Sequence, residues 1–297
     1  KDGETPFMKA KKTDPMKRFL KQYPFLAESE RIHRLVGEAV GTPEPIQLPE
    51  RAVTKTLAEK LPILQQETYR RRMVRAVYMM QEAVFARIAE AEVPPLMQES
   101  AREYLAVLKT LRKAAKEEFI AAVLTQDKAV FSALCEQHAL NEGFIRSTIW
   151  RMIAALVPAD LKDPDGWNPD RDRPRFHENF CPVCGRRPVL ADLRKHREGR
   201  TRDLVCGGCG TRWLYARVGC VYCGNRNLEK MHTLEPTDSD LMRLDICDVC
   251  DSYIKTYRGP VNGSDADVIY RQDWASIHLD LLAEEKGLHK KGNTILE

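Results

Sequence analysis

Four Cys-x-x-Cys pairs lie within 70 residues of this chain: Cys181 and Cys184 in "CPVCG", Cys206 and Cys209 in "CGGCG", Cys220 and Cys223 in "CVYCG", and Cys247 and Cys250 in "CDVCD". Two thiolates so spaced can close a redox disulfide or supply half of a metal site. A redox pair normally occurs once, between a strand and a helix, and no βαβ pattern surrounds these pairs. Metal ligation fits the spacing better. Cys184 and Cys206 are separated by 21 residues and Cys223 and Cys247 by 23, close to the interval of about 15–20 in zinc ribbons. Each pair can sit on one tight turn, and two turns facing across a hairpin complete a tetrahedron of sulfur.

The segment also repeats itself. "RDLVCGGCGTRWLYAR" (202–217) aligns with "RLDICDVCDSYIKTYR" (243–258). In both copies an apolar residue precedes the first cysteine (Val205, Ile246), another follows the second by four (Trp213, Ile254), and an arginine follows by eight (Arg217, Arg258). A duplicated ribbon predicts pairing in chain order: Cys181, Cys184, Cys206 and Cys209 around one ion, and Cys220, Cys223, Cys247 and Cys250 around the next. An interleaved arrangement is the alternative. Four thiolates around a dication leave a net charge of about −2, which Arg186, Arg187, Arg217 and Arg258 are placed to offset. A segment of this length buries little core, so bound metal is expected to hold it together.

The other candidates for chemistry are weaker. Cys135, in "FSALCEQHAL", reads as a buried, inert thiol on a helix, with His138 close by. The chain has seven histidines; His177, His196 and His232 do not fall at ligand spacing with one another. His177, just before Cys181, reads more simply as a surface residue than as a support for the metal site. No phosphate loop, nucleophile elbow or HExxH motif is present. The basic stretch "GRRPVLADLRKHREGRTR" carries seven Lys/Arg against two acids. It reads as a solvated hairpin, with nucleic acid or an acidic protein surface as the alternatives.

The elements that must position these groups divide the chain by composition. Over 297 residues, apolar content is 43%, charged content 30% and net charge +4, which argues for a soluble chain of about two domains and against nucleic acid as the partner. No apolar run reaches membrane-spanning length. Nine cysteines without an apolar secretory core near the start point to a reducing, cytoplasmic compartment.

The N-terminal half is helical in pattern, with five to seven helices expected over 50–157 and a weaker one around "ESERIHRLVGEAV". Tyr69, Met73, Val77, Met80, Val84 and Ile88 form one apolar face. Ser100 and Glu103 fit a capping box, and Pro94-Pro95 allows a start one turn earlier. "PADLKDPDGWNPDRDRPR" holds four prolines and five aspartates and reads as a connection, packed rather than loose because of Trp167. "RPVLADLRKH" and "TRDLVC" read as strands. "DWASIHLDLLAEEKG" reads as one helix with Trp274, Ile277, Leu281 and Leu282 on a face and Gly287 as its stop.

The expected fold is α+β: an α-helical domain (1–160), a Pro/Asp-rich connection (161–175), a first four-cysteine ribbon (176–218), a second (219–260), and a C-terminal helix and tail (261–297).

The motifs "FCPVCGRRPVLADL", "LVCGGCGTRWLYARVGCVYCGN", "ICDVCDSYIKTY" and "HLDLLAEEKGL" resemble the FdhE family of formate dehydrogenase accessory proteins, strongly over about 175–290 and loosely over the helical half. The resemblance implies a non-catalytic, cytoplasmic maturation factor that binds the catalytic subunit of a molybdenum- or tungsten-dependent formate dehydrogenase. It implies rubredoxin-like knuckles, all eight cysteines as metal ligands, and two ions per chain. Tetrahedral sulfur suits zinc or a single iron, and the resemblance favours iron slightly. The fourth pair departs from the pattern by ending in Asp251 rather than glycine. The competing functions are a nucleic-acid-binding zinc ribbon and a rubredoxin-like electron carrier.

Overall fold

A computed structural model of the chain describes residues 15–167, 176–196, 199–236, 241–259 and 266–292. The helical half comprises α1 (Pro15–Gln22), α2 (Ala27–Val40), α3 (Glu50–Glu59), α4 (Glu67–Glu90), α5 (Pro95–Thr110), α6 (Lys113–Thr125), α7 (Lys128–Gln137) and α8 (Glu142–Leu156). The expected number of helices after residue 50 is met by α3–α8. The longest, α4, is the hub and packs against α2, α5, α6 and α8. Its face of Tyr69, Met73, Val77, Val84 and Ile88 is buried as the periodicity predicts, with Met80 partly covered.

The capping box is a correction. α5 begins at Pro95, and Ser100 is buried inside the helix. Proline at the first position already supplies the favoured backbone angle and has no N–H to satisfy, so no side-chain cap is needed there. Caps of that kind appear elsewhere: Asp127 accepts from Val130 N–H at 3.1 Å and Asn141 from Phe144 N–H at 3.0 Å, starting α7 and α8.

The second half is built on one sheet. Its strands are β1 (Pro188–His196), β2 (Gly199–Cys206), β3 (Arg212–Tyr215), β4 (Met231–Leu234), β5 (Met242–Cys247), β6 (Ser252–Tyr257) and β7 (His289–Lys290). The order is β3-β2-β1-β6-β5-β4, with β7 also pairing β6. Two antiparallel three-stranded units, one for each four-cysteine segment, are therefore welded by the parallel pair β1–β6, in the register Leu190↔Lys255, Ala191↔Thr256 and Asp192↔Tyr257.

One face, through Ala191, Leu204, Trp213 and Ile254, joins the core of the helical half. The other, through Leu190, Val205, Leu244 and Tyr253, packs on Leu279 and Ala283. Trp167 is buried and donates its indole N–H to the Leu161 carbonyl at 3.0 Å, as its presence in the connecting segment suggests. Residues 168–175 of that segment lie outside the described residues.

The C-terminal segment forms two helices, α9 (Ala266–Ala275) and α10 (Ile277–Glu285), where the sequence pattern gives one. The buried Lys255 ammonium takes the Asp273 carbonyl at 2.7 Å, which an unbroken helix would give to the N–H of residue 277. The same ammonium binds the Asp280 carboxylate at 2.6 Å. The break turns Leu279 and Ala283 to the sheet and leaves Ile277 and Leu281 exposed, so the expected apolar face is corrected. Gly287 adopts φ 72° just after α10, as a helix stop requires.

His33 links α2 to α8 and α9. Its ring lies 2.6 Å from an Arg151 Nη and edge-on to Trp274, centroids 5.0 Å apart. Burial, with help from Arg151 and Arg271, lowers its pKa to about 3. A histidine held neutral in the fold contributes stability above its unfolded value near 6.5 that is lost as pH falls toward 3. We expect urea-unfolding stability to fall over that window by up to about 1.4 kcal/mol per pH unit from this group. His33→Gln should flatten the slope; an unchanged pH profile in that variant contradicts the assignment.

Candidate metal centre

Each Cys-x-x-Cys pair sits on a knuckle that reverses the chain and places the next residue at positive φ. That residue is Gly185 (82°), Gly210 (76°), Gly224 (74°) or Asp251 (49°). Glycine is the natural occupant of this conformation. Aspartate is one of the few side chains that tolerates it, so the departure at Asp251 keeps the turn. The knuckles close by matching backbone bonds: Cys181 N–H to Arg186 O at 2.8 Å, Cys206 N–H to Thr211 O at 2.9 Å, and Cys220 N–H to Asn225 O at 2.8 Å. At the fourth knuckle, Cys247 and Ser252 are cross-strand partners where β5 meets β6.

The sheet brings the knuckles together in chain order. Cys181, Cys184, Cys206 and Cys209 form one group and Cys220, Cys223, Cys247 and Cys250 the other, with the sulfurs of each group all within 4.8 Å of one another. Individual Sγ–Sγ separations are 3.5 Å for Cys181–Cys209, 3.4 Å for Cys184–Cys206, 3.7 Å for Cys220–Cys250 and 3.8 Å for Cys223–Cys247. A disulfide requires about 2.05 Å. Four sulfurs at about 2.3 Å from one ion stand about 3.8 Å apart. The donor sets therefore fit a tetrahedral ion, and each group could hold one.

The surroundings suit thiolate. Backbone N–H groups of Gly208 and Tyr222 donate to Cys206 and Cys220 Sγ at 3.4 Å, and the Asn225 amide reaches Cys247 Sγ at 3.8 Å. Burial pushes the Cys181 and Cys184 thiols up. At Cys220 burial is outweighed by N–H groups of Cys223 and Tyr222, and the thiol comes down to about 7. Burial takes Cys250 up to about 12. Thiols in such mixed states lose their remaining protons together only when a cation arrives.

Two hydroxyls belong to the site that the sequence reading did not single out. Thr211 Oγ1 lies 3.1 Å from Cys209 Sγ and Ser252 Oγ lies 2.9 Å from Cys250 Sγ. They occupy the same position in the two copies of the repeat, so the alignment already held the signal. Of the four arginines expected to offset charge, Arg186 acts on Cys206, whereas Arg258 pairs with Glu235 at 2.7 Å and Arg217 is exposed. Arg202, buried in the sheet, faces Cys220 electrostatically and holds the Gly219 carbonyl at 3.0 Å.

The basic stretch is thus only partly solvated: Arg186 and Arg202 are buried and Arg194 pairs with Asp203. Residues 197 and 198 and the His196 side chain lie outside the described residues. His177 is exposed. His232 pairs with Asp248 at 2.6 Å on the surface. Cys135 is 2% exposed, and burial raises its thiol to about 11.

Comparison with known proteins agrees with this geometry. Residues 180–217 match the family model described as "FdhE, central domain". A "Protein FdhE homolog" of Aquifex aeolicus is 34% identical over 117 residues, 39% of this chain and 41% of that protein. "Protein FdhE" of Escherichia coli K12 is 28% identical over 201 residues, 66% of this chain and 59% of that protein. The crystal structure of the FdhE protein from Pseudomonas aeruginosa superposes with a TM-score of 0.57 at 18% identity, covering 95% of this chain and 90% of that one, and so shares its fold. Together these matches support the FdhE family for this chain. The chain spans 41% and 59% of the length of the Aquifex and Escherichia relatives it matches.

The two sulfur groups differ in access. All four sulfurs of the first group are on fully buried residues. In the second, Cys220 and Cys247 are buried, Cys250 is half-buried and Cys223 is exposed. We expect a thiolate-competent chelator to remove one ion per chain fast and the other slowly, with Cys223 alkylated before any cysteine of the first group; equal rates at both groups contradict the asymmetry. We also expect Cys184→Ala to lose one ion and the order of its ribbon, while Cys135→Ala keeps both, as read by elemental analysis and circular dichroism.

Proposed function

We propose that the chain is a non-catalytic accessory protein for the maturation of a molybdenum- or tungsten-dependent formate dehydrogenase, and that it binds the catalytic subunit in the cytoplasm. The observation that carries this reading is the pair of four-sulfur clusters on one sheet docked to a helical half, in a chain whose residues 180–217 match the FdhE central domain. The metal ligands are Cys181, Cys184, Cys206 and Cys209 for one ion and Cys220, Cys223, Cys247 and Cys250 for the other, with iron preferred over zinc. When bound, each ion ties two knuckles into one rigid unit. The chain's own groups do the rest. Thr211, Ser252 and the knuckle N–H groups hold charge on sulfur, Arg186 and Arg202 balance it, and Trp150 of α8, with the Arg186 guanidinium stacked over its ring at 4.5 Å, seats the first ribbon on the helices.

In this reading the chain divides at the Pro/Asp-rich segment 161–175, with ribbons 176–218 and 219–260 carried on the common sheet. Closed four-sulfur sites leave no open coordination position for a substrate, which favours a binding role over turnover. No described helix is long and apolar enough to cross a membrane. The exposed Cys223 keeps electron transfer through the second ion as the second reading. A reversible change in the visible thiolate-to-iron band without loss of metal would favour it.

Deleting the gene in its host should abolish formate oxidation while the catalytic subunit is still made. The tagged chain should co-purify with that subunit and carry two ions with the absorption of iron–thiolate. Normal formate oxidation in the deletion strain contradicts the function, and a colourless protein with two zinc ions reverses the preference for iron.

A further inference from the structure

The two sulfur groups carry the same ligands but differ in whether a reagent can reach them. Cys181, Cys184, Cys206 and Cys209 are each 0% exposed. In the second group Cys223 is exposed and Cys250 half-buried. The surroundings of that group are open as well. Gly224, directly after Cys223, is exposed, and Val249, between Cys247 and Cys250, is 56% exposed.

Thiol–disulfide exchange makes two demands on a protein. An attacking sulfur must reach a sulfur of the reagent directly, so access governs the rate. Cys223 meets that demand and no sulfur of the first group does. A second thiolate must then stand within reach of the first. Cys247 Sγ lies 3.8 Å from Cys223 Sγ, and closing that gap to a disulfide bond takes a shift of about 2 Å. The turn after Cys223 is free to supply it. Gly224 adopts φ 74°, and nothing lies within 4 Å of the place a β-carbon would occupy. At Gly185, the equivalent position of the first group, a β-carbon would run into the side chain of Gln65.

We infer that the second four-sulfur group is a thiol-oxidation site, with a low-molecular-weight disulfide as substrate, Cys223 as the attacking sulfur and Cys247 as the resolving one. The Cys223 thiolate forms a bond to one sulfur of the reagent, whose S–S bond breaks, and the other sulfur leaves as a thiolate. The Cys247 thiolate then forms a bond to Cys223 Sγ and displaces the second half of the reagent, also as a thiolate. Two electrons pass from the protein pair to the reagent, two negative charges leave with its halves, and no proton is required. The two thiolates that remain are too few to complete a tetrahedron, so the second group gives up its ion while the first keeps its own. The inference rests on the eight cysteines as metal ligands and goes beyond the accessory role.

The test uses the full, metal-loaded chain, incubated without oxygen with oxidised glutathione and, in parallel, with reduced glutathione at the same concentration. Metal retained after gel filtration is read by elemental analysis. Disulfides are mapped by peptide mass spectrometry after the free thiols are blocked. Oxidised glutathione should remove one ion per chain and leave Cys223 joined to Cys247, with glutathione on Cys223 as the transient species. Reduced glutathione should leave both ions in place. Loss of both ions together, a first disulfide within the first group, equal loss of metal with reduced glutathione, or a chain that does not react overturns the site. A bond from Cys223 to Cys220 or Cys250 overturns the role of Cys247. None of these readouts involves formate dehydrogenase, so failure here leaves the accessory role standing, and failure of the deletion experiment leaves this site standing.

Discussion

Thiolate repulsion is the constraint that shapes the second half of the molecule. Four sulfurs within 4.8 Å of one another cannot all be ionised without a cation between them, and left as buried thiols they contribute little. The backbone suits the ionised state in which each group could hold a metal ion. N–H groups aim at sulfur, a hydroxyl stands beside one sulfur of each group, and a positive-φ residue turns each knuckle back. A tetrahedral four-sulfur ion is worth about 10–16 kcal/mol of apparent binding free energy at neutral pH. That is on the scale of the whole stability of a domain, so for so small a ribbon a bound ion would be part of the folding reaction.

The sheet decides how far that rigidity travels. Two hairpin units would each have remained small and open-edged. Parallel pairing of β1 with β6 makes them one surface, and the two faces of that surface are covered by different parts of the chain. On one side the helical half reaches the first knuckle through backbone bonds, Ile63 N–H to Pro182 O at 2.9 Å and Leu64 N–H to Val183 O at 2.8 Å. Gly208 completes this seam. A β-carbon there would stand 2.8 Å from Arg186 Cδ and 2.9 Å from the Trp150 ring, so only glycine lets the second knuckle approach the stacked pair. On the other side Lys255 fastens α9 and α10 beneath the sheet. A charge at that depth is tolerable only with its carboxylate and carbonyl partners in place.

What the sequence made legible follows from how local each signal is. The knuckles could be read because ligand type and spacing lie within a few residues. Pairing in chain order could be read because a repeat carries its topology with it. Thr211 and Ser252 stand at equivalent positions in that repeat, but a hydroxyl has many local uses and gains its meaning only from the sulfur beside it. Other features depend on groups distant in sequence. The β1–β6 junction joins residues more than sixty positions apart and has no local signature. The break between α9 and α10 coincides with carbonyls taken by Lys255, a residue of a strand. The capping box failed for another reason: Pro95 had already solved the problem that Ser100 appeared to address.

The two copies of the ribbon have diverged in burial more than in chemistry. The first is enclosed on both sides, by helices and by its neighbour; even the Tyr222 hydroxyl of the third knuckle bonds to Pro188 at the start of β1, at 3.1 Å. The fourth knuckle is held at its backbone, by Lys291 on the Cys250 carbonyl at 2.7 Å and His289 N–H on the Asp251 carbonyl at 2.7 Å. Val249 between its cysteines is 56% exposed, and Val218 and Leu228, on the two sides of the third knuckle, are 52% and 62% exposed. Burial therefore falls in steps from the helical seam outward to Cys223. A site sealed from water holds its ion because no ligand can be displaced without opening the fold, whereas an open site exchanges ligands at the surface with the rest intact. With an ion in each group, burying only one copy of the repeat would separate two demands that a single site could not meet together: fixing the geometry of the molecule, and leaving a metal–sulfur edge open at the surface.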